Sequence, residues 1–375
     1  MKTVKLLTVL ISIVGLFEGV VLADFIFGEP TIVPNINTSS CDGCGSISSD
    51  GLELYIASSH PYGGDDCYSD IYVTTRPTVN DPWDTPTKLG PPVNTDGPEG
   101  FPCISADGLE LYFSDGWPPI MMSGCGHRPG GYGRSDLWVS KRITRDDPWG
   151  EPQNLGSNIN GPQIDLCPCI SRDGLSLYFH SSTHPNCLAC FDLFVTKRAT
   201  KNDPWGPAEN LGPPINTGTN EINPFISPDN LSLYFSVGAG TYDVYVSRRA
   251  SVTDPWQAPV LFDPVNSSLC DNGLIFAEGC STLYFARSDN WDTGNISSWA
   301  STVASYDIWQ VEVTPILDLN GDGVVDALDV CIMVERWHTY DSLCDIAPAP
   351  MGDGFVDIQD LTVLAEHLFE EIPVP

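Results

Sequence analysis

Apolar and polar positions alternate with the period of a β-strand through most of this chain, and one block of that alternation repeats. Ser105-Ala106-Asp107-Gly108-Leu109-Glu110-Leu111-Tyr112-Phe113 recurs as Ser48-Ser49-Asp50-Gly51-Leu52-Glu53-Leu54-Tyr55-Ile56 and as Ser171-Arg172-Asp173-Gly174-Leu175-Ser176-Leu177-Tyr178-Phe179. Weaker copies end in Leu233-Tyr234-Phe235 and Leu283-Tyr284-Phe285. Asp-Gly or Asp-Asn supplies the positive-φ residues of a tight hairpin turn, and the Leu-x-Leu-Tyr-Phe that follows reads as a strand. The five tyrosines stand 50–66 residues apart. A repeat of that length built only of strands predicts a propeller with one blade per copy, so five copies predict five blades.

Each copy divides into four strands. An inner strand (Phe101–Ser105) precedes the Asp-Gly turn and the Leu-Tyr-Phe strand, and a Gly- and Asp-rich loop follows. The third strand is Asp136-Leu137-Trp138-Val139, echoed by Asp70-Ile71-Tyr72-Val73, Asp192-Leu193-Phe194-Val195, Asp243-Val244-Tyr245-Val246 and Asp307-Ile308-Trp309. An Asp-Pro-Trp turn ending at Trp83, Trp149, Trp205 or Trp256 leads to a Pro-containing outer strand, and proline is tolerated at a sheet edge. These tryptophans are expected to pack between blades. The fifth copy stops after its third strand, near Val313. Its missing outer strand is predicted at the other end of the chain, where Phe27-Gly28-Glu29-Pro30 and Asn35-Ile36-Asn37 match Trp149-Gly150-Glu151-Pro152 and Asn158-Ile159-Asn160. Pairing the two ends would close the ring and remove its exposed edges.

The recurring register of Ser-x-Asp-Gly-x-x-Leu-Tyr-Phe, Asp-Leu-Trp-Val and Asp-Pro-Trp resembles the TolB-like, WD-repeat-like propellers over residues 24–313. That resemblance implies a fold and a habit of binding, and it implies no reaction.

The first 23 residues read as a secretory signal, with Lys2 and Lys5, an apolar run from Leu6 to Phe17 and a small-residue cleavage site at Val21-Leu22-Ala23. The expected product is secreted or displayed at the cell surface, with no membrane insertion. Residues 24–315 are assigned to the propeller and 316–375 to a C-terminal module. A formal charge of −32 disfavours nucleic acid and anionic membranes as partners. Thirteen cysteines in an exported chain read first as disulfides. They cluster by repeat, which suits local stapling of neighbouring strands and loops; Cys331 with Cys344 would staple the C-terminal module, and Cys41-x-x-Cys44 and Cys187-x-x-Cys190 leave zinc open.

The stretch Asp318-Leu319-Asn320-Gly321-Asp322-Gly323-Val324-Val325-Asp326-Ala327-Leu328-Asp329 has the spacing of a calcium loop. Side-chain oxygens fall on Asp318, Asn320, Asp322, Asp326 and Asp329, the carbonyl of Val324 fills the seventh position, and Gly323 makes the sharp turn. Hard oxygen ligands at this spacing suit calcium. A second copy offers Asp353, Phe355 (by its carbonyl), Asp357 and Asp360, while Ala349 and Met351 stand where its first ligands belong. The paired loops, closing on Asp where an EF-hand has Glu, resemble a dockerin over residues 316–372. The resemblance implies calcium-dependent folding and docking onto a cohesin-like receptor on a scaffold or cell surface. Dockerins often carry Ser or Thr at loop positions 10 and 11; here stand Ala327-Leu328 and Ile358-Gln359.

Five residues before the apolar residue that ends each inner strand is an acid: Asp42, Glu99, Asp165, Glu221 and Asp271. The repeat places all five at one height, as a ring of carboxylates around one mouth of the central channel. Such a ring must recruit a cation, share protons or bond to donors of the neighbouring blade. The loops between second and third strands open on the same face and carry His60-Pro61, Arg128-Pro129, His184-Pro185, Tyr62, Trp117, Tyr132, Trp291 and Trp299. Acids beside aromatic platforms suit a carbohydrate-binding surface. Two functions then compete: a non-catalytic binding propeller, with polysaccharide as a candidate ligand, and a glycoside hydrolase. A glycosidase divides two carboxylates into different roles, and five near-equivalent acids do not show that division. Binding is the favoured expectation.

Overall fold

The computed structural model describes residues 25–38, 41–58, 69–115, 128–162, 164–182, 191–239, 241–276, 281–288, 306–315, 317, 319, 324–338, 344, 346–347 and 356–369. Within them the chain forms five antiparallel sheets, and the expected five-bladed propeller is what is seen. Blade one comprises Asp42–Ile47, Glu53–Ser58, Asp70–Thr75 and Thr87–Lys88; blade two Glu99–Ile104, Glu110–Asp115, Leu137–Lys141 and Gln153–Asn154. Blade three runs through Asp165–Ile170, Ser176–Ser181, Asp192–Lys197 and Glu209–Asn210, and blade four through Asn220–Ile226, Ser232–Gly238, Tyr242–Arg248 and Val260–Leu261. Outer strands of two residues are shorter than the sequence pattern suggests, because each pairs only with the middle of its neighbour.

Blade five is built from both ends. Cys270–Phe276, Thr282–Ser288 and Tyr306–Pro315 form its inner three strands. Phe25–Phe27 and Thr31–Ile32 then pair antiparallel with the outer side of Tyr306–Pro315, in the registers Phe27↔Val313 and Ile32↔Trp309. The N-terminal segment therefore closes the ring as expected.

The repeated apolar alternation becomes the core. Tyr55, Tyr112, Tyr234 and Tyr284 are among the largest fully buried side chains, with Phe113, Phe179, Phe235 and Phe285 beside them. Full burial of one such side chain stabilises by roughly 1.5–3 kcal/mol. The Asp-Pro-Trp tryptophans pack across seams between blades: Trp83 of blade one meets Tyr284 of blade five at 6.2 Å between ring centroids, and Trp205 of blade three meets Tyr112 of blade two at 6.3 Å. An arginine of the same blade covers each tryptophan, with Arg76, Arg142, Arg198 and Arg249 at 4.2–4.4 Å from the ring centroids of Trp83, Trp149, Trp205 and Trp256.

One polar contact recurs at all five blades. An asparagine after the outer strand turns its side-chain amide onto a residue of the third strand, accepting its N–H and donating to its C=O. Asn94 does this to Ile71 at 2.9 and 2.8 Å, Asn160 to Leu137 at 2.8 and 3.0 Å, and Asn216 to Leu193 at 2.9 Å for both bonds. Asn266 does it to Val244 at 2.7 and 2.8 Å. In blade five the clamp is Asn37, from the N-terminal segment, onto Ile308.

The C-terminal module contains two helices, α1 (Ala327–Glu335) and α2 (Ile358–Glu366), over one apolar core that includes Met333, Leu364, Val325 and Val356. Asp326 and Asp357 cap them, each in a capping box with the aspartate three residues on. The halves are tied reciprocally. His338 N–H donates to the Val356 carbonyl at 2.9 Å, and Phe369 N–H donates to the Val325 carbonyl at 2.6 Å. Cys331 is exposed on α1 while Cys344 lies buried in the core, so the expected staple between them is not present. Two residues of helix turn Cys331 away from the face that Asp329 and Met333 bury. Cys103, Cys167, Cys169 and Cys270 are likewise thiols, where disulfides had been expected.

Candidate functional site

Asp42, Glu99, Asp165, Glu221 and Asp271 do stand at one height, at the start of the inner strands. The loops between second and third strands leave from this same face, since the acids pair in register with Ser58, Asp115, Ser181, Val237 and Arg287 at the ends of the second strands. Their exposure differs from the sequence picture. All five are buried, at 0–1%. Each accepts the backbone N–H of the residue four positions earlier: Asp42 from Thr38 at 2.6 Å, Glu99 from Thr95 at 3.0 Å, Asp165 from Gly161 at 2.6 Å, Glu221 from Thr217 at 3.1 Å and Asp271 from Ser267 at 2.7 Å. That donor residue directly follows the clamp asparagine in every case. Clamp and carboxylate together fix the crossover that carries the chain from one blade to the next.

The fivefold sameness ends with the second oxygen. Glu99 also takes Arg128 at 3.0 Å, and Asp271 takes Arg287 at 2.5 Å, both ion pairs largely out of water. Arg128 further donates to the carbonyls of Pro92 and Val93 and lies over the rings of Phe113 and Trp138. Asp42 takes the Thr38 hydroxyl on its second oxygen, whereas in Glu221 the Thr217 hydroxyl shares Oε1 with the Thr217 N–H; Thr95 and Ser267 donate hydroxyls to Glu99 and Asp271 as well. Burial pushes the carboxyls of Asp42, Glu99 and Glu221 above the ordinary range. An aspartate at the start of the previous blade's third strand adds to this in each seam: Asp307 beside Asp42, Asp70 beside Glu99, Asp192 beside Glu221.

The central channel holds a cavity of about 150 Å³, walled by Phe101, Pro102, Pro168, Pro224, Phe225 and Phe276 together with Cys103, Cys167, Cys169 and Asn223. The five acids are not among the residues that line it. A bulge in each inner strand separates the two sets, with Phe101, Cys167, Asn223 and Gly273 at positive φ two residues after the acid. The channel wall is therefore apolar and sulfur-rich, and the carboxylates face the seams. Behind the wall sits His180, fully buried and held neutral by desolvation, its pKa lowered to about 3; its Nδ1 accepts the Asn223 N–H at 3.3 Å.

Sequence reasoning missed Asp115. It stands opposite Glu99 in register, where the other blades carry Ser58, Ser181, Val237 and Arg287. It is 3% exposed, and burial together with neighbouring Asp136 raises its pKa to about 6. Its carboxylate accepts the Asp136 N–H at 2.7 Å and the Arg128 N–H at 3.3 Å. The signal was a lone departure from the repeat, which a search for repetition passes over. Glu99 and Asp115 are neighbours inside one blade and do not face each other across a cleft.

Of the loop residues, Tyr132 is 56% exposed and the Arg128 side chain 8%. His60, Tyr62, Trp117, His184, Trp291 and Trp299 lie outside the described residues. So do Asp318, Asn320, Asp322, Asp353 and Phe355 of the calcium-type loops. Val324 and Asp326 are described, and Asp329 is buried, accepting the Asp326 N–H at 2.8 Å. In the second loop Asp360 accepts three peptide N–H groups, from Ile346, Ala347 and Asp357, each at 2.7 Å. A carboxylate offers about four lone-pair directions, so little of Asp360 remains for a bidentate cation contact. Ala349 and Met351 at the head of that loop add no side-chain oxygen.

No family model matches the chain, and no curated protein matches it. Solved structures similar to it include TolB from Acinetobacter baumannii, at 14% identity and TM-score 0.38 over 74% of this chain and 55% of that one. An arabinanase from Bacillus subtilis is 12% identical at TM-score 0.44, over 76% of this chain and 96% of that one. An exo-β-1,3-galactanase from Clostridium thermocellum is 13% identical at TM-score 0.47, over 75% of this chain and 62% of that one. Likenesses at this level carry no functional argument. The class of protein, an all-β five-bladed propeller, rests on the chain's own strand pairing.

Proposed function

We propose that this chain is an exported, non-catalytic binding propeller, with polysaccharide as its candidate ligand, displayed on a cohesin-like receptor by a calcium-binding, dockerin-like C-terminal module. The observation that carries the non-catalytic reading is the capping of all five ring carboxylates by the crossover N–H groups, away from the channel lining. Carboxylates committed in this way hold blades together; a general acid or nucleophile must reach substrate. Docking rests on the dockerin resemblance and on the apolar Leu328 and Ile358, 58% and 62% exposed at the starts of α1 and α2, which depart from the Ser or Thr that dockerins often carry at these positions. Calcium would be held by Asp318, Asn320, Asp322, Asp326 and Asp329 with the Val324 carbonyl, and it would supply the positive charge that gathers these carboxylates. One ion per chain is expected, because Asp360 is already occupied by N–H donors.

The test is a glycan array with the full chain, with and without chelator, run beside an assay for released reducing sugar. The reading expects binding without sugar release. Sugar release, or binding to no glycan, would count against it. A second reading, glycoside hydrolysis, has one observation in its favour: Asp115, with a carboxyl raised to about 6, beside the ion-paired Glu99. It requires that Asp115→Asn abolish any sugar release.

A further inference from the structure

Three thiols line the central channel, and two of them belong to adjacent blades at the same place in the repeat. Cys103 and Cys169 are the last residues but one of the inner strands Glu99–Ile104 and Asp165–Ile170. The Ile170 N–H donates to the Cys103 sulfur at 3.3 Å, so this side chain reaches across the seam to the peptide directly after Cys169. Blade three repeats the contact one step further round, from the Ile226 N–H to the Cys169 sulfur at 3.4 Å. In blade one Ser46 occupies the position and accepts the Ile104 N–H at 2.7 Å. The two sulfurs are close enough to influence each other across that seam.

We propose that Cys103 and Cys169 are an oxidation site, forming a disulfide that joins blades two and three at the wall of the channel. Both residues are 6% exposed and line the channel cavity, the side from which an oxidant would reach them. Cys167 is a poorer candidate for either, since its thiol is engaged with the Asn223 side-chain oxygen at 2.8 Å. The oxidant is a low-molecular-weight disulfide. One cysteine thiolate attacks it, forming a mixed disulfide and releasing one small thiol; the second cysteine then displaces the other. Two protons and two electrons leave the protein, and the small disulfide is reduced to two thiols. The bond would close a long loop spanning most of blade two, the kind of cross-link that constrains the unfolded chain most. This site depends neither on glycan binding nor on calcium, and stands or falls separately from both.

The pairing differs from the local stapling suggested by cysteine spacing, which would group Cys103 with Cys125 of its own repeat. The folded full-length chain, first reduced, is exposed to oxidised glutathione, alkylated and digested without reduction for mass spectrometry. The expected product joins the peptides of Cys103 and Cys169 with loss of two hydrogens. Cys169→Ser should remove that product and leave Cys103 open to alkylation; Ser46 shows that this register position accepts serine. The wild-type chain should melt higher oxidised than reduced, by on the order of 5 °C more than the variant does. Cys103 joined to Cys125 or to any other cysteine would overturn the proposal. So would full alkylation of both thiols after oxidation of the folded chain.

Discussion

Asn37 and Ile308 are 271 residues apart in sequence and are joined by two hydrogen bonds, 2.6 Å from the Ile308 N–H to the Asn37 side-chain oxygen and 2.9 Å from its amide nitrogen to the Ile308 carbonyl. The same two bonds are made within single repeats by Asn94, Asn160, Asn216 and Asn266. In blade five alone they connect the ends of the propeller.

Asn37→Ala should therefore cost more than the loss of two exposed bonds. It leaves the N–H and C=O of buried Ile308 without their amide partner and unlatches the closing segment. A destabilisation of about 2–4 kcal/mol is expected, read as a lowered denaturant midpoint. Asn37→Asp should fall short of rescue, because a carboxylate accepts from Ile308 N–H and cannot donate to its carbonyl.

Trp83 tests the seam that closure creates. Its indole N–H donates to the Tyr284 hydroxyl at 3.2 Å while Arg76 covers its ring at 4.2 Å. Trp83→Ala should lower stability by about 3–5 kcal/mol, seen as a lower Tm. An exposed residue on the same turn, Val79, should tolerate alanine within about 0.5 kcal/mol.

Two buried groups give stability opposite pH dependences. Asp115 has its carboxyl raised from 3.8 to about 6, so the folded chain holds that proton more tightly than the unfolded one. Its contribution is complete below pH 3.8 and lost as pH rises through about 6, at most about 3 kcal/mol. His180 is lowered from 6.5 to about 3, so its contribution is present above pH 6.5 and lost as pH falls towards 3. Asp115→Asn should reduce the loss between pH 4 and 7, leaving the smaller shares of other raised carboxyls such as Asp42, Glu99 and Glu221. Denaturant unfolding at stepped pH, wild type against variant, measures the difference. Identical pH curves would contradict the assignment.

Much of this architecture is legible in the alternation of residues. Leu-x-Leu-Tyr-Phe after Asp-Gly marks a strand in each repeat because a side-chain period of two leaves few alternatives, and Phe27-Gly28-Glu29-Pro30 betrays the displaced outer strand by matching Trp149-Gly150-Glu151-Pro152. The acids were placed at the right height and misjudged in orientation. Their capping depends on a backbone donor four residues back, and an inner-strand bulge decides which side chains meet the channel; neither leaves an apolar pattern. The Asn clamps were visible only as part of the repeat, since nothing local says that Asn94 serves Ile71. Asp115 was invisible for the opposite reason, being an exception in a chain read by its repetitions. Cysteine grouping misled because the Cys103 and Cys169 sulfurs take backbone partners across seams, the N–H groups of Ile170 and Ile226.

For the C-terminal module, calcium titration of the full chain should show one tight site. Asp318→Ala should abolish it, whereas Asp353→Ala should leave it within a few-fold of wild type, because the second loop gives Asp360 to peptide donors. Isothermal calorimetry measures both. Two equal sites would contradict the expectation.

The ring itself is tested most directly by hydrogen exchange on the strand Tyr306–Pro315, measured in the full chain and in a chain lacking residues 25–37. Closure predicts that its amides are as protected in the full chain as those of Asp192–Lys197, and that protection falls when the N-terminal segment is removed. A strand that exchanges equally in both chains would contradict it.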